Sequence, residues 1–274
     1  MSDSTRPTVA APLVPRRAIG SISGMRLAFG ILLVSVIAAD AGEPPLPPAE
    51  RARMLAELVE QVIALDRAIA ASPHEVALHS RRGDSHLFLA HFARAVADFE
   101  KMIALDPGQD APHWRLGIAY YFNGQYAASA RQFGKYHAYD GRDRENGIWK
   151  FLSDAKLLGL GPARRAMLVY SRFDREPFPA LYELLAGLKT TDDFFSGLKE
   201  RGLADDPRVM FFAKYYAGLH EEMLGNHDRA LALLGEAVAS RWGRTAEGGP
   251  AYMWQMARLH FEMLETLVDP AGLN

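Results

Sequence analysis

The chain repeats itself at a period of 34 residues. Pro73 maps onto Pro107, Gly83 onto Gly117, Phe92 onto Tyr126, Phe99 onto Phe133 and Asp106 onto Asp140, each pair differing by 34. A fixed period of this length marks a stacked array of small supersecondary units. One unit cannot bury its apolar face alone, so neighbours must supply the rest of the core. Apolar residues recur at helical spacing, as in Leu55, Leu58, Val59, Val62, Ile63 and Leu65, and again in Val96, Phe99, Met102 and Ile103. No sustained two-residue alternation follows Pro48, so the predicted class is all-α.

Each unit reads as a small residue in a first helix, a turn, a small residue in a second helix, an aromatic four later, and then proline. That pattern resembles the tetratricopeptide repeat (TPR). The first repeat covers about 76–109, with Gly83, Phe92, Ala95, Phe99 and Pro107. The second covers about 110–143, with Leu116, Gly117, Tyr120, Gly124, Tyr126, Ser129 and Phe133. A third fits about 211–244, with Ala217, Gly218, Gly225, Ala230, Leu234 and Ala237. Gly83, Gly117 and Gly218 are expected to let paired helices approach. Phe99 and Phe133 are expected to plug the gap between consecutive repeats, and Gly124 and Gly225 to end a helix at a turn.

The remainder is read as helical too. Residues 49–72 predict a leading helix. The stretch 144–210 predicts irregular helices near 147–158, 162–172, 178–188 and 191–201, the last capped by Thr191 or Asp192. Residues 251–267 predict a final helix that caps the solenoid. The domain reading is therefore 1–41 as a signal-bearing region, 42–50 as a proline-rich spacer and 51–274 as a TPR helical domain.

The run Trp114-Arg115-Leu116-Gly117-Ile118-Ala119-Tyr120-Tyr121, with Gly124, Tyr139-Asp140 and Ile148-Trp149-Lys150-Phe151-Leu152, resembles the bacterial TPR lipoprotein NlpI. Phe212-Ala213-Lys214-Tyr215-Tyr216-Ala217-Gly218 with Gly225-Asn226 is similar as well. The likeness covers roughly 75–265. It implies an envelope scaffold on the periplasmic side, a homodimer, and partners among cell-wall hydrolases and a processing protease. The family carries a lipid-modified cysteine after its signal; this chain has Ala38-Ala39-Asp40-Ala41-Gly42 there, and no cysteine anywhere.

The N-terminal region fits export. Met25-Arg26 opens an apolar run from Leu27 to Ala39, about 20 Å long as a helix and short for a bilayer. Ala39-Asp40-Ala41 supplies small residues for cleavage after Ala41. Translation starting at Met25 would give a compact signal. An uncleaved signal would leave the chain anchored, and only then in contact with a membrane.

Charge and composition exclude several classes. Net charge is −2, with Lys and Arg scattered, so no basic stripe awaits a nucleic acid. The lack of cysteine excludes disulfides and thiolate chemistry. Of nine histidines, His79 and His86 share a helix face, while His86 and His91, five apart, do not. His220-Glu221 begins a zinc-protease motif without its second histidine, so no metal or cofactor is expected. Asp192-Asp193 and Asp205-Asp206 read as helix caps. Arg82-Gly83-Asp84 reads as an accident of packing, and Arg142-Asp143-Arg144-Glu145 as a solvated turn.

In a TPR the first helix of each pair lines an inner groove. That assigns Leu87, Phe88, Trp114, Ile118, Tyr121, Phe122, Phe212 and Tyr215 to a protein-binding surface. The groove is apolar and aromatic, so it suits an apolar peptide or helix anchored on Trp114, Tyr121, Phe122 and Tyr215. The same stripe equally suits packing against the insert helices or a second copy of the chain. The function expected is a protein-interaction scaffold or adaptor that is not an enzyme. The alternative is a helical enzyme or small-ligand carrier using 144–210, where Arg164, Arg165, Arg172, Asp174, Arg175 and Glu176 form no recognisable constellation.

Overall fold

A computed structural model describes residues 44–269, and among them every regular element is a helix, with no strand. The signal reading, the Leu27–Ala39 run and the cleavage site lie outside the described residues. Among the described residues no helix is long and apolar enough to cross a membrane.

The helices follow in chain order. First come α1 (Pro48–Ala71), α2 (Val76–Phe88), α3 (Phe92–Leu105), α4 (Trp114–Phe122) and α5 (Tyr126–Tyr139). Next are α6 (Arg144–Leu158), α7 (Leu160–Arg165), α8 (Phe178–Leu185) and α9 (Thr191–Glu200). Last are α10 (Pro207–Met223), α11 (His227–Val238), α12 (Arg241–Thr245) and α13 (Gly249–Val268). Helices α1 to α6 stack in sequence order, α8 bridges α6 to α10, and α10 pairs with α11.

Three hairpins share one internal rule. In α2–α3, α4–α5 and α10–α11 a glycine on the first helix faces a large side chain sixteen residues later. A Cβ on Gly83 would lie 2.6 Å from the Phe99 ring, one on Gly117 2.8 Å from Phe133, and one on Gly218 2.9 Å from Leu234. Ala95, Ser129 and Ala230, twelve residues after those glycines, are fully buried. Each turn is made by a residue in the left-handed region: Ala90 at φ 58°, Gly124 at 73° and Gly225 at 81°. Glycine adopts that conformation at little cost; Ala90 holds it against a steric penalty.

The plugs therefore act first within a hairpin. Reading them as spacers between consecutive repeats was incomplete. Phe99 also packs on His113, with ring centroids 5.0 Å apart, and Phe133 stacks on Trp149 of α6 at 6.2 Å. Each ring thus joins its own hairpin to the next helix.

Several local expectations change. Helix α1 starts at Pro48, inside the proline run. Proline suits a first turn because its missing N–H would have had no helical partner. Leu46 is buried and Pro45 packs near Gly235, so the run is docked, not a free spacer. The helix expected over 162–172 ends at Arg165. Arg144 donates to the carbonyl of Arg172 at 2.7 Å and of Tyr170 at 3.5 Å, tying this non-helical stretch to the start of α6. Helix α9 is capped by Thr190, in a capping box with Asp193, one residue before the expected cap.

The largest change concerns α13. It does not merely close one end of the array. It packs along α11 and α12 and returns to α2. Arg258, 1% exposed, donates to the Phe88 carbonyl at 2.6 Å and to Glu262 at 2.8 Å. Glu262 also meets Arg51 of α1 at 2.7 Å, and Arg244 of α12 meets Glu50 at 3.0 Å. Last and first helices are thereby tied together.

Candidate functional site

The side chains assigned to a binding groove are mostly buried, and α13 covers many of them. The Phe88 and Trp114 rings meet Tyr252 at 4.9 and 4.8 Å. Tyr121 and Phe122 meet His260 at 5.7 and 4.6 Å. The Tyr215 hydroxyl lies 3.0 Å from His260 Nδ1. Leu87 and Ile118 are fully buried, and Phe212 packs instead on Phe178 and Trp242. Of the eight, Phe88 and Trp114 keep partial exposure. An open groove is therefore corrected: the stripe is packed, and by the chain's own last helix. The physical reason is ordinary, since a large aromatic stripe left in water is costly and α13 brings apolar side chains to it. Burial pushes His260 down to about 4, so it stays neutral in this contact.

Where α13 begins, the cover is incomplete. A cavity of about 170 Å³ opens there between α4, α5, α6 and α13. Trp114, Tyr136, Trp149 and Met253 form its apolar walls; Asp143, Glu145, Asn146 and Arg175 supply its polar groups. Asp143 caps α6, accepting from the Glu145 N–H at 3.0 Å and from Asn146 Nδ2 at 2.6 Å. The Arg175 guanidinium reaches Glu145 at 2.5 Å and both Asp143 and Asp174 at 3.3 Å. It also lies over the Phe178 ring, 4.2 Å from its centroid. Tyr216 donates to Glu145 Oε1 at 2.6 Å. Trp149 is 1% exposed, and its indole N–H has no partner among the described residues.

Three carboxylates thus face one guanidinium. Burial pushes the Glu145 carboxyl up to about 7 despite Arg175, and raises Asp143 as well. The protein supplies less positive charge than these groups need once out of water.

Sequence reasoning took residues 142–145 for a solvated turn, and that is corrected: the Glu145 side chain is 12% exposed. It also saw no constellation among the charges of 144–210. Asp174 and Arg175 do converge, but on partners 30 and 32 residues earlier. Glu176 pairs with Arg201 and Arg164 with the Leu185 carbonyl. The readable signal was Asp143 as a cap; the pairing with Arg175 had none.

Other motifs find structural uses. Arg82 binds Asp98 and Asp66, and Asp84 binds Arg115. Asp206 caps α10, accepting from Arg208 and Val209. Glu221 accepts from Asn226 at 2.6 Å across a turn. His86 and His91 share no helix face, but the turn between α2 and α3 brings their Nδ1 atoms within 3.4 Å. Among the described residues no group of three or more His, Asp or Glu is placed to hold a metal.

Compared with known proteins, the chain matches no family model. No curated protein matches it significantly either.

Proposed function

We propose that this chain is a TPR-type solenoid that serves as a protein-interaction scaffold, related in build to NlpI and without turnover of its own. The observation that carries the reading is the hairpin rule. Three hairpins repeat the same glycine, small residue and plug at the same spacing, with the same left-handed turn. Such arrays hold shaped surfaces, and function lies in what those surfaces take.

The exported setting rests on the N-terminal sequence, and partners among cell-wall hydrolases or an envelope protease rest on the resemblance. A homodimer belongs to the same reading. With α13 on the inner face, a partner would engage the half-buried rim at Phe88 and Trp114.

The test is affinity capture from bacterial envelope extract with the full chain, wild type beside Trp114→Ala. Tyr121→Ala is a poor probe, because that ring is buried and its loss would unseat α13. Discrete partners held by wild type and lost from a variant of equal helicity support the scaffold. Self-association alone, unchanged by the variant, counts against it.

A second reading, a small-ligand carrier using the 144–210 segment, is favoured by one observation. Arg175 from that segment lines the cavity at α6, and Asp174 pairs with it. Equilibrium dialysis against a small-molecule mixture, wild type beside Arg175→Met, would separate the two.

A further inference from the structure

The cavity at the start of α13 has a definite chemical character. Its walls are the rings of Trp114, Tyr136 and Trp149, with Met253. Its polar groups are Asp143, Glu145 and Asn146, and Asp174 accepts from the same Arg175 nitrogen as Asp143. Positive charge comes from Arg175 in full. Fractions come from the N-terminus of α6, which Asp143 caps, and from that of α13 at Gly249, each worth about half a charge. The Arg144 guanidinium is turned outward, over the Tyr170 ring at 5.2 Å and onto backbone carbonyls. Three carboxylates against one guanidinium and two helix ends still leave the cavity short of cation.

Aromatic rings beside unbalanced carboxylates are the chemistry that holds an ammonium or guanidinium group. The ring faces attract a cation once it is desolvated, and the carboxylates neutralise it. An anion would meet Glu145 and Asp143 at the same depth, and a purely apolar ligand would leave them in still poorer solvent. The volume of about 170 Å³ suits one side chain, not a folded element. Trp149 is the most deeply buried part of the wall, 1% exposed.

We infer that this cavity is a binding site for an alkylammonium or guanidinium group, with a lysine or arginine side chain of a peptide as its natural form. Asp143 and Glu145 take the charge, the rings of Trp114, Tyr136 and Trp149 enclose the stem, and Arg175 holds both carboxylates in place. The cavity would take such a group whether or not the hairpins also act as a scaffold.

Binding should carry a proton signature. The groups facing Glu145 are Asp143, Asp174, Arg175 and Tyr216, with Tyr136 across the cavity. A second cation among them favours the ionised carboxylate, so protons leave as ligand enters near pH 7.

The experiment is calorimetric titration of the full chain at pH 7, in two buffers of different ionisation enthalpy. The probes are N-acetyl-lysine amide, the same compound acetylated on Nε, n-butylamine, and a short peptide with one central lysine. Binding of the three charged probes, at least tenfold weaker binding of the Nε-acetylated one, and proton release supports the site. Tighter binding of the peptide than of n-butylamine assigns the cation to a protein partner; equal binding assigns it to a free amine. Glu145→Gln should weaken the charged probes at least tenfold, and circular dichroism would show whether that variant folds. Should it fail to fold, the charged and acetylated probes on wild type still decide. Absence of binding at millimolar probe, or equal binding of the charged and acetylated forms, overturns the inference.

Discussion

The regular hairpins and the insert solve the same packing problem with different means. In α4–α5 a glycine admits the ring of Phe133 from sixteen residues away, and a buried serine, Ser129, donates to the carbonyl of that glycine at 2.8 Å. In the insert, Gly147 of α6 also clears space, but a Cβ there would run into the hydroxyls of Tyr170 and Tyr182. Tyr170 comes from the irregular stretch after α7, and Tyr182 from α8. The hairpin contact is local, apolar and repeated. The insert contact is remote, polar and made once. The hairpins are therefore a scaffold in the mechanical sense, while the insert is where charged and hydroxyl groups collect, and there the cavity lies.

This contrast can be broken in stages. The largest effect should follow Phe133→Ala, which removes a fully buried ring bridging α4, α5 and α6. We expect a loss of about 4 kcal/mol in chemical denaturation. A loss below about 1 kcal/mol would mean that the hairpin rule contributes little. Next comes Arg258→Ala, which strands the Phe88 carbonyl and leaves Glu262 with Arg51 alone as its arginine partner. About 3 kcal/mol should be lost, with faster amide exchange confined to α13 and its contacts. Uniform exchange across the chain would show that α13 is not a separate brace.

Smaller effects follow from the glycines. Gly117→Ala should cost about 1–3 kcal/mol, because the added carbon meets the immobile Phe133 ring. Gly134→Ala, on the same hairpin with nothing within 4 Å, should instead stabilise by about 0.5–1 kcal/mol through helix propensity. If both change stability in the same direction, helix propensity and not close packing governs these positions.

pH sharpens the comparison further, with opposite signs in the two regions. His260, on the buried face of α13, is held down at about 4, from an ordinary 6.5. Unfolded chains therefore take up more protons than folded ones as pH falls below 6.5, and stability is lost from there towards 4. His113 beside Phe99, also pushed down to about 4 by burial, acts in the same direction. Glu145 in the cavity is raised to about 7 from 4.5. Its contribution is full below 4.5 and is lost as pH rises through 7. His260→Gln should flatten the acid-side loss seen in melting temperature. Glu145→Gln should make stability climb more steeply between pH 4.5 and 7. Parallel profiles for the two variants would mean that neither group controls its region.

Much of the helical layout was legible because its causes are local. Gly83 and Phe99, or Gly117 and Phe133, sit at a fixed separation on adjoining helices, so a self-comparison finds them without any knowledge of the fold. The turns at Gly124 and Gly225 were visible in the same way, and the one at Ala90 was not, since alanine gives no sign that it will be held at positive φ. The candidate site was much less legible. The stripe of Trp114, Tyr121, Phe122 and Tyr215 could be read as inward-facing, but periodicity states only that a face is apolar, not what covers it. The cavity was invisible, because Arg175, Glu145 and Tyr216 come from three separate parts of the chain.

The sequence by itself determined an all-helical chain, the register of its three hairpins, and the absence of cysteine chemistry. Those follow from composition and from spacings shorter than one repeat. The tertiary structure alone decided that α13 turns back over the inner face, that Arg258 ties it to the carbonyl of Phe88, and that three carboxylates gather on Arg175. Such choices depend on which distant surfaces meet, and burial then fixes the charge state of what they bring together.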